Sequence, residues 1–269
     1  MSTGQHAPEV DRRRFLGRSV TAGAGALVGA SAVQALIPSF AAAAASGPTS
    51  GDVAIVGAAQ IAEALAVTTY TNIIQRSPFF RHLPDDDQGY LKAARQEEMS
   101  HYALEQSVTG KPAAFTTFYY PHKMFHDAHT TLNVLVSLED AFIAAYLVGV
   151  RNFSTADLRV TAARIMGIES DHRTLARVLG GDVTKRDGGP IKKITGIQGH
   201  AEPADPPNNN GYERTLLWTD ISQAVTALTP FVDKTAAGKA GFDTKKAYGF
   251  KPFTAHLPNS LGAFHSFAG

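Results

Sequence analysis

Two short motifs of one kind, Glu98-Met99-Ser100-His101 and Glu169-Ser170-Asp171-His172, each place a carboxylate and an imidazole three residues apart. On a helix that spacing sets both groups on one face a turn apart, so that they reach a common ion. One such motif is commonplace on a solvated helix. Here, however, both interrupt apolar stripes: Leu91, Ala94, Glu98, His101, then Leu104 or Glu105 and Val108; and Leu158, Ala162, Ile165, Glu169, His172, Ala176, Leu179. Two further stripes carry a single glutamate each: Val56, Ala59, Glu63, Ala66, Tyr70, Ile73, and Leu132, Leu135, Glu139, Phe142, Tyr146. Any one of these glutamates alone is read most simply as solvated or paired with Arg95 or Arg164. Four carboxylates converging in one core could not all stay ionised without cations, because desolvating each costs several kcal/mol. Two divalent ions would offset them. The candidate metal ligands are therefore Glu63, Glu98, His101, Glu139, Glu169 and His172.

Neighbouring residues have weaker claims. Glu97 is an alternative to Glu98, since i and i+4 also share a face; the match to Glu169 and His172 favours Glu98. Tyr70 and Tyr146 lie two turns beyond their glutamates and are read first as core, with a redox or supporting role as the alternative. Asp140 and Asp171 adjoin ligands but point about 100° away from them, toward solvent or a ligand-orienting position. His122, His126 and His129 are read as loop and cap residues.

The elements that must position these groups are four long helices. The first is expected from about Asp52 to Arg76, stopped by Ser77-Pro78, because the residue before proline is pushed out of the helical region. The second starts near Asp85-Asp86-Asp87 and ends at Gly110. The third spans about Ala128 to Val150 with Asp127 as N-cap, and the fourth about Thr155 to Leu179, closed by Gly180-Gly181. Lys111 to Asp127, with Phe115, Thr116, Thr117, Phe118, Tyr119, Tyr120 and Pro121, has β-branched and aromatic residues without helical period and reads as an extended crossover. Short loops within two hairpins and one long link between them predict an all-α four-helix bundle with a crossover between helices two and three. The halves also repeat: the run from Glu63 to Tyr70 aligns with that from Glu139 to Tyr146, and Glu98-x-x-His101-x-x-Leu104 with Glu169-x-x-His172-x-x-Leu175.

Residues 182–212 are rich in Gly, Pro and Asn and read as an irregular linker. A fifth helix is expected from Glu213 to Val232 on the stripe Leu216, Leu217, Ile221, Val225, Leu228. The aromatic tail from Ala240 is expected to pack on the bundle or on a second copy of the chain. The organisation is thus 1–46 leader, 47–184 bundle and 185–269 extension.

The chain has 269 residues, a net charge of +1 and no cysteine. That balance offers no electrostatic footprint for nucleic acid. The lack of cysteine excludes disulfides and thiolate ligands, so any metal is held by oxygen and nitrogen, which suits iron or manganese and leaves zinc open. The start, with Arg12-Arg13-Arg14-Phe15-Leu16 before an Ala/Gly/Val/Leu stretch and the Ala41–Ala45 run, resembles a twin-arginine export signal. Its small-residue content favours cleavage over retention as a membrane anchor. The resemblance implies a folded protein exported with its cofactor to the periplasm, envelope or exterior.

On these motifs the stretch from about Asp52 to Gly181 resembles the ferritin-like superfamily, and the leader and long extension are similar to its exported bacterial branch, related to plant desiccation-related proteins. The resemblance implies that Glu63 and Glu139 are the single glutamates of helices one and three, and that Glu98, His101, Glu169 and His172 are the paired ligands of helices two and four. It further implies a carboxylate-bridged di-iron or dimanganese site, an oxidoreductase acting on dioxygen or peroxide, or a non-catalytic envelope protein of stress or desiccation protection whose metals are structural or merely bound.

Overall fold

The computed structural model describes residues 48–182 and 216–257. The expected leader, nearly all of the expected linker, residues 213–215 and the tail aromatics Phe264 and Phe267 lie outside the described residues.

Four long helices form the frame: α1 (Ser50–Arg76), α2 (Asp85–Thr109), α3 (Ala128–Asn152) and α4 (Ala156–Asp182). They are followed by α5 (Ile221–Val232) and α6 (Lys234–Lys239), and two strands, β1 (Thr117–Pro121) and β2 (Phe242–Gly249), complete the order. Helix α1 packs on α2 and α3 on α4 as hairpins, and contacts of α1 with α3 and α2 with α4 close the bundle. This is the all-α, one-crossover bundle expected of a ferritin-like chain.

The helix ends follow local chemistry. Thr49 and Asp52 form a reciprocal capping box, so α1 starts two residues earlier than Asp52. Asp52 also accepts a 2.8 Å hydrogen bond from Ser154 N, tying this end of α1 to the α3–α4 loop. Helix α2 ends at Gly110, whose φ of 67° lies in the left-handed region that glycine adopts without a Cβ clash. Asp127 caps α3 through Thr130 N at 2.8 Å. Gly180 and Gly181 do not close α4, which runs on to Asp182; a glycine pair lowers helix propensity without forbidding helical backbone. Helices α1 and α3 are apolar over lengths that would span a bilayer, and most of that surface is buried in the bundle.

The crossover is pinned to α1. Gln60 Nε2 donates to Lys111 O at 2.8 Å, and the Thr69 and Tyr120 hydroxyls lie 3.0 Å apart. Strand β1 pairs antiparallel with β2, Phe118 opposite Tyr248 and Tyr120 opposite Asp243, with an irregularity between them. The described extension therefore packs on its own bundle: α5 lies against α1 and α3, and Tyr120, Phe125, Phe231 and Tyr248 form a nest of edge-on and tilted rings.

The fifth helix is shorter than expected. It starts at Ile221, not Glu213, because Asp220 and Gln223 build a second capping box, and Leu217 stands 75% exposed outside the apolar stripe.

Candidate metal centre

Each of the four helices delivers its share of the six residues to one level of the core: Glu63 from α1, Glu98 and His101 from α2, Glu139 from α3, Glu169 and His172 from α4. The packed hairpins leave these residues at most 6% exposed. Their oxygen and nitrogen atoms fall into two overlapping groups, Glu63, Glu98, His101, Glu169 and Glu98, Glu139, Glu169, His172, each with donor atoms within 4.8 Å of one another. Glu98 and Glu169 belong to both groups. Each group is completed by one lone glutamate and one histidine, the division that the internal repeat implies.

The donors face each other without satisfying each other. His101 Nδ1 is 3.2 Å from Glu169 Oε1 and 3.6 Å from both Glu63 Oε2 and Glu98 Oε2. His172 Nδ1 is 2.9 Å from Glu98 Oε1 and 3.6 Å from Glu169 Oε2. None of these approaches has hydrogen-bond geometry: both oxygens of Glu98 and of Glu169, Oε2 of Glu63 and of Glu139, and Nδ1 of both histidines are buried without a hydrogen-bond partner. Buried polar atoms are nearly always hydrogen-bonded, since leaving one unmet costs about 1–3 kcal/mol and more for a charge. A cluster of orphans converging on two points is what a pair of cations would satisfy, and the donor types fit.

The outward oxygens of the two lone glutamates are satisfied. Tyr70 donates to Glu139 Oε1 at 2.7 Å, and Tyr146, its counterpart in the repeat, hydrogen-bonds to Glu63 Oε1. Each lone glutamate is left one oxygen for an ion. The tyrosines are thus more than the core residues that the apolar stripe implied, and the equal seven-residue spacing of Glu63–Tyr70 and Glu139–Tyr146 was the available signal. Glu97 is not in either group of donors. Its side chain is 32% exposed and its Oε2 lies 2.8 Å from His172 Nε2, across the α2–α4 contact. A proton on Nε2 shared with Glu97 leaves the Nδ1 lone pair facing Glu98 and Glu169.

The electrostatics carry the same imprint. Burial, reinforced by the charges of Glu98 and Glu169, holds Glu63 and Glu139 well above the usual carboxylate range. Burial also works to raise Glu98, but the neighbouring His172 charge brings it below that range. Burial works to lower the two imidazoles, yet Glu63 beside His101 and Glu98 beside His172 push both well above the ordinary histidine value. Without cations the cluster balances its charge by holding protons.

Other expected participants stand further out. Asp140 is buried beside Glu139 but turns to Arg173, 3.0 Å away, and Arg177 on α4. Asp171 is exposed, as is Arg164, and Arg95 lies over the Phe253 ring at 5.1 Å. His122 and His126 occupy the turn after β1, and His129 lies in the first turn of α3 near Asn133. One acid had no assigned role in the sequence: Glu105, 4% exposed, whose Oε1 is 2.8 Å from the Tyr146 hydroxyl and whose Oε2 has no hydrogen-bond partner. Its position seven residues after Glu98 on the same stripe was visible.

Residues 51–181 match the family model of a ferritin-like domain. The match spans all four bundle helices and all six candidate ligands and supports the ferritin-like superfamily. No curated protein and no solved structure matches this chain.

Proposed function

We propose that this ferritin-like bundle holds two iron ions, with manganese as the variant, in a carboxylate-bridged centre that is redox-active toward dioxygen or peroxide. The observation that carries the reading is the set of buried, unpartnered donors from Glu63, Glu98, His101, Glu139, Glu169 and His172. Glu98 and Glu169 would span both ions, Glu63 and His101 would complete one, and Glu139 and His172 the other. Such a pair would supply two electrons to dioxygen, which leaves with two protons as hydrogen peroxide, or two electrons to peroxide, which takes two protons to give water.

The chain's own groups prepare the cavity for that exchange. Tyr70 and Tyr146 hold the outer carboxylate oxygens, so each lone glutamate turns a fixed oxygen inward. Burial and the surrounding carboxylates push both phenols well above their usual range, so each stays protonated and keeps donating. Glu97 fixes the tautomer and tilt of His172. The packed stripes exclude bulk water and strengthen every charge interaction inside.

The export reading belongs to the same proposal: loading and folding in the cell before passage through the twin-arginine machinery suits a metal centre buried in the bundle core. An assembly of copies through the extension has to use surface outside the ring nest around Tyr120 and Tyr248.

The test is metal content with electron paramagnetic resonance on protein taken from its own host, beside a Glu98→Ala/Glu169→Ala double variant. About two Fe or Mn per chain, lost in the variant, is expected from two coordination groups. Wild-type protein that neither carries nor takes up Fe(II) or Mn(II) ends the metal reading. Bound metal with no turnover of dioxygen or peroxide makes the pair structural and the protein a non-catalytic one.

A further inference from the structure

The two halves of the centre are related by the repeat, but their surroundings are not. Seven residues after Glu98 comes Glu105; seven after Glu169 comes Ala176, and both positions are buried. Tyr70 meets one carboxylate, whereas Tyr146 lies between two, Glu63 and Glu105. Tyr70 sits in the large core cluster that includes Leu65, Phe79 and Leu91. Tyr146 sits instead in a smaller cluster with Val56, Ala59, Phe153, Ala162 and Ile165, and that cluster is incomplete.

The gap in it is a cavity of about 40 Å³ between α1, α2, α3 and α4. Its walls are mostly apolar, Glu105, Tyr146 and Thr161 are its carboxylate, phenol and hydroxyl, and the half-buried Ile55, Leu104, Val108 and Leu158 lie among its outer lining. A second apolar cavity of about 30 Å³ shares Ala145 and Ile221 with it, so the first turn of α5 lines both.

We infer that the cavity beside Tyr146 is a binding site and port for a small uncharged apolar molecule of the size of dioxygen, serving only the Glu63–His101 half of the centre. The volume sets the size: a water needs roughly 10–15 Å³ by the same measure, so the interior space of about 40 Å³ takes two or three heavy atoms. The walls set the polarity: along Val56, Leu104 and Ile165 a peroxide finds no hydrogen-bond partner and can meet one only at Thr161 or at the Glu105–Tyr146 end, a restriction that dioxygen does not bear. The position sets the direction, because the cavity reaches Tyr146, which touches Glu63, and not Tyr70, which touches Glu139. The port's role in turnover rests on the proposed redox function; its occupancy does not.

Xenon, an apolar probe that fills dry cavities, tests the two apart. Crystals or solutions of the full metal-free chain under xenon pressure are expected to show a gas site lined by Val56, Leu104 and Ile165. The site should vanish in Ala162→Leu and in Val108→Phe, two independent ways of filling the space, should either variant fold poorly. In the Fe(II)-loaded chain the same variants should keep their metal stoichiometry while oxidation at low dioxygen slows several-fold. No xenon in the wild type overturns the inference, as does xenon displaced with the oxidation rate unchanged. A chain that binds no metal overturns the proposed function, and xenon occupancy then still decides whether the apolar site exists.

Discussion

Tyr70 on α1 donates a 2.7 Å hydrogen bond to Glu139 on α3, across the bundle and not along its own helix. Its counterpart Tyr146 on α3 reaches back to Glu63 on α1. Seven helical residues span about 10.5 Å, so these reciprocal bonds can both form only if α1 and α3 run antiparallel with the two glutamates between the two tyrosines. The relationship ties helix register to the inward oxygens of the centre.

Replacing Tyr70 by Phe therefore leaves Glu139 Oε1 buried and unpaired. The metal-free chain should lose about 1–3 kcal/mol in denaturant unfolding, the cost of an unmet buried acceptor. Tyr146→Phe, which strands oxygens of both Glu63 and Glu105, should cost more than Tyr70→Phe. Equal losses for the two variants would contradict the asymmetry of the site.

The pH dependence has a definite sign. Burial raises Glu63, Glu105 and Glu139, so the folded metal-free chain keeps protons that the unfolded chain sheds above the ordinary carboxylate value of about 4.3. His101 and His172 are raised as well, and their contribution is complete below about 6.5 and lost as pH climbs through their folded values. In both cases the native state binds more protons than the unfolded state, so stability falls with rising pH. Glu98 shifts the other way, and its contribution is present above the ordinary carboxylate value and lost in acid. The melting temperature with chelator should drop from mildly acidic to mildly alkaline buffer. Cations displace those protons, so the gain in melting temperature on adding Mn(II) should grow over the same range. A gain independent of pH would mean that the protonated groups are not the ones the metal uses.

Glu97 tests the support of a ligand without touching the ion. Its partly exposed side chain makes Glu97→Ala mild for folding, while the His172 ring loses its Nε2 partner. Such outer partners typically contribute about 10–100-fold in metal affinity. A Mn(II) titration followed by paramagnetic resonance should show that loss for Glu97→Ala, and an unchanged affinity would remove Glu97 from the site.

The extension should be inseparable from the bundle in stability. Phe231, 1% exposed, packs edge-on against Tyr120 of the crossover at 6.0 Å and Phe242 of β2 at 5.0 Å between ring centres. Phe231→Ala should cost about 3–5 kcal/mol. One cooperative transition at lower denaturant is expected; an early transition confined to the extension, with the bundle unchanged, would show it to be an independent appendage.

What the sequence determined by itself was periodic. Apolar stripes named four helices, the glutamates and E-x-x-H pairs interrupting them named six donors, and the repeat paired the halves, because a helix face is a local property of spacing. Helix ends were readable where one residue governs them, as at Gly110 and Asp127. They were misread where a reciprocal pair decides, as at Thr49–Asp52 and Asp220–Gln223. Only the tertiary structure could decide that Glu97 meets His172, that the tyrosines cross the bundle, that β2 seals the crossover, and that Glu105 and a cavity distinguish one half of the centre. Those contacts join residues far apart in the chain, Glu97 with His172 and Glu63 with Tyr146, and no spacing rule within a single helix encodes which groups packing brings together.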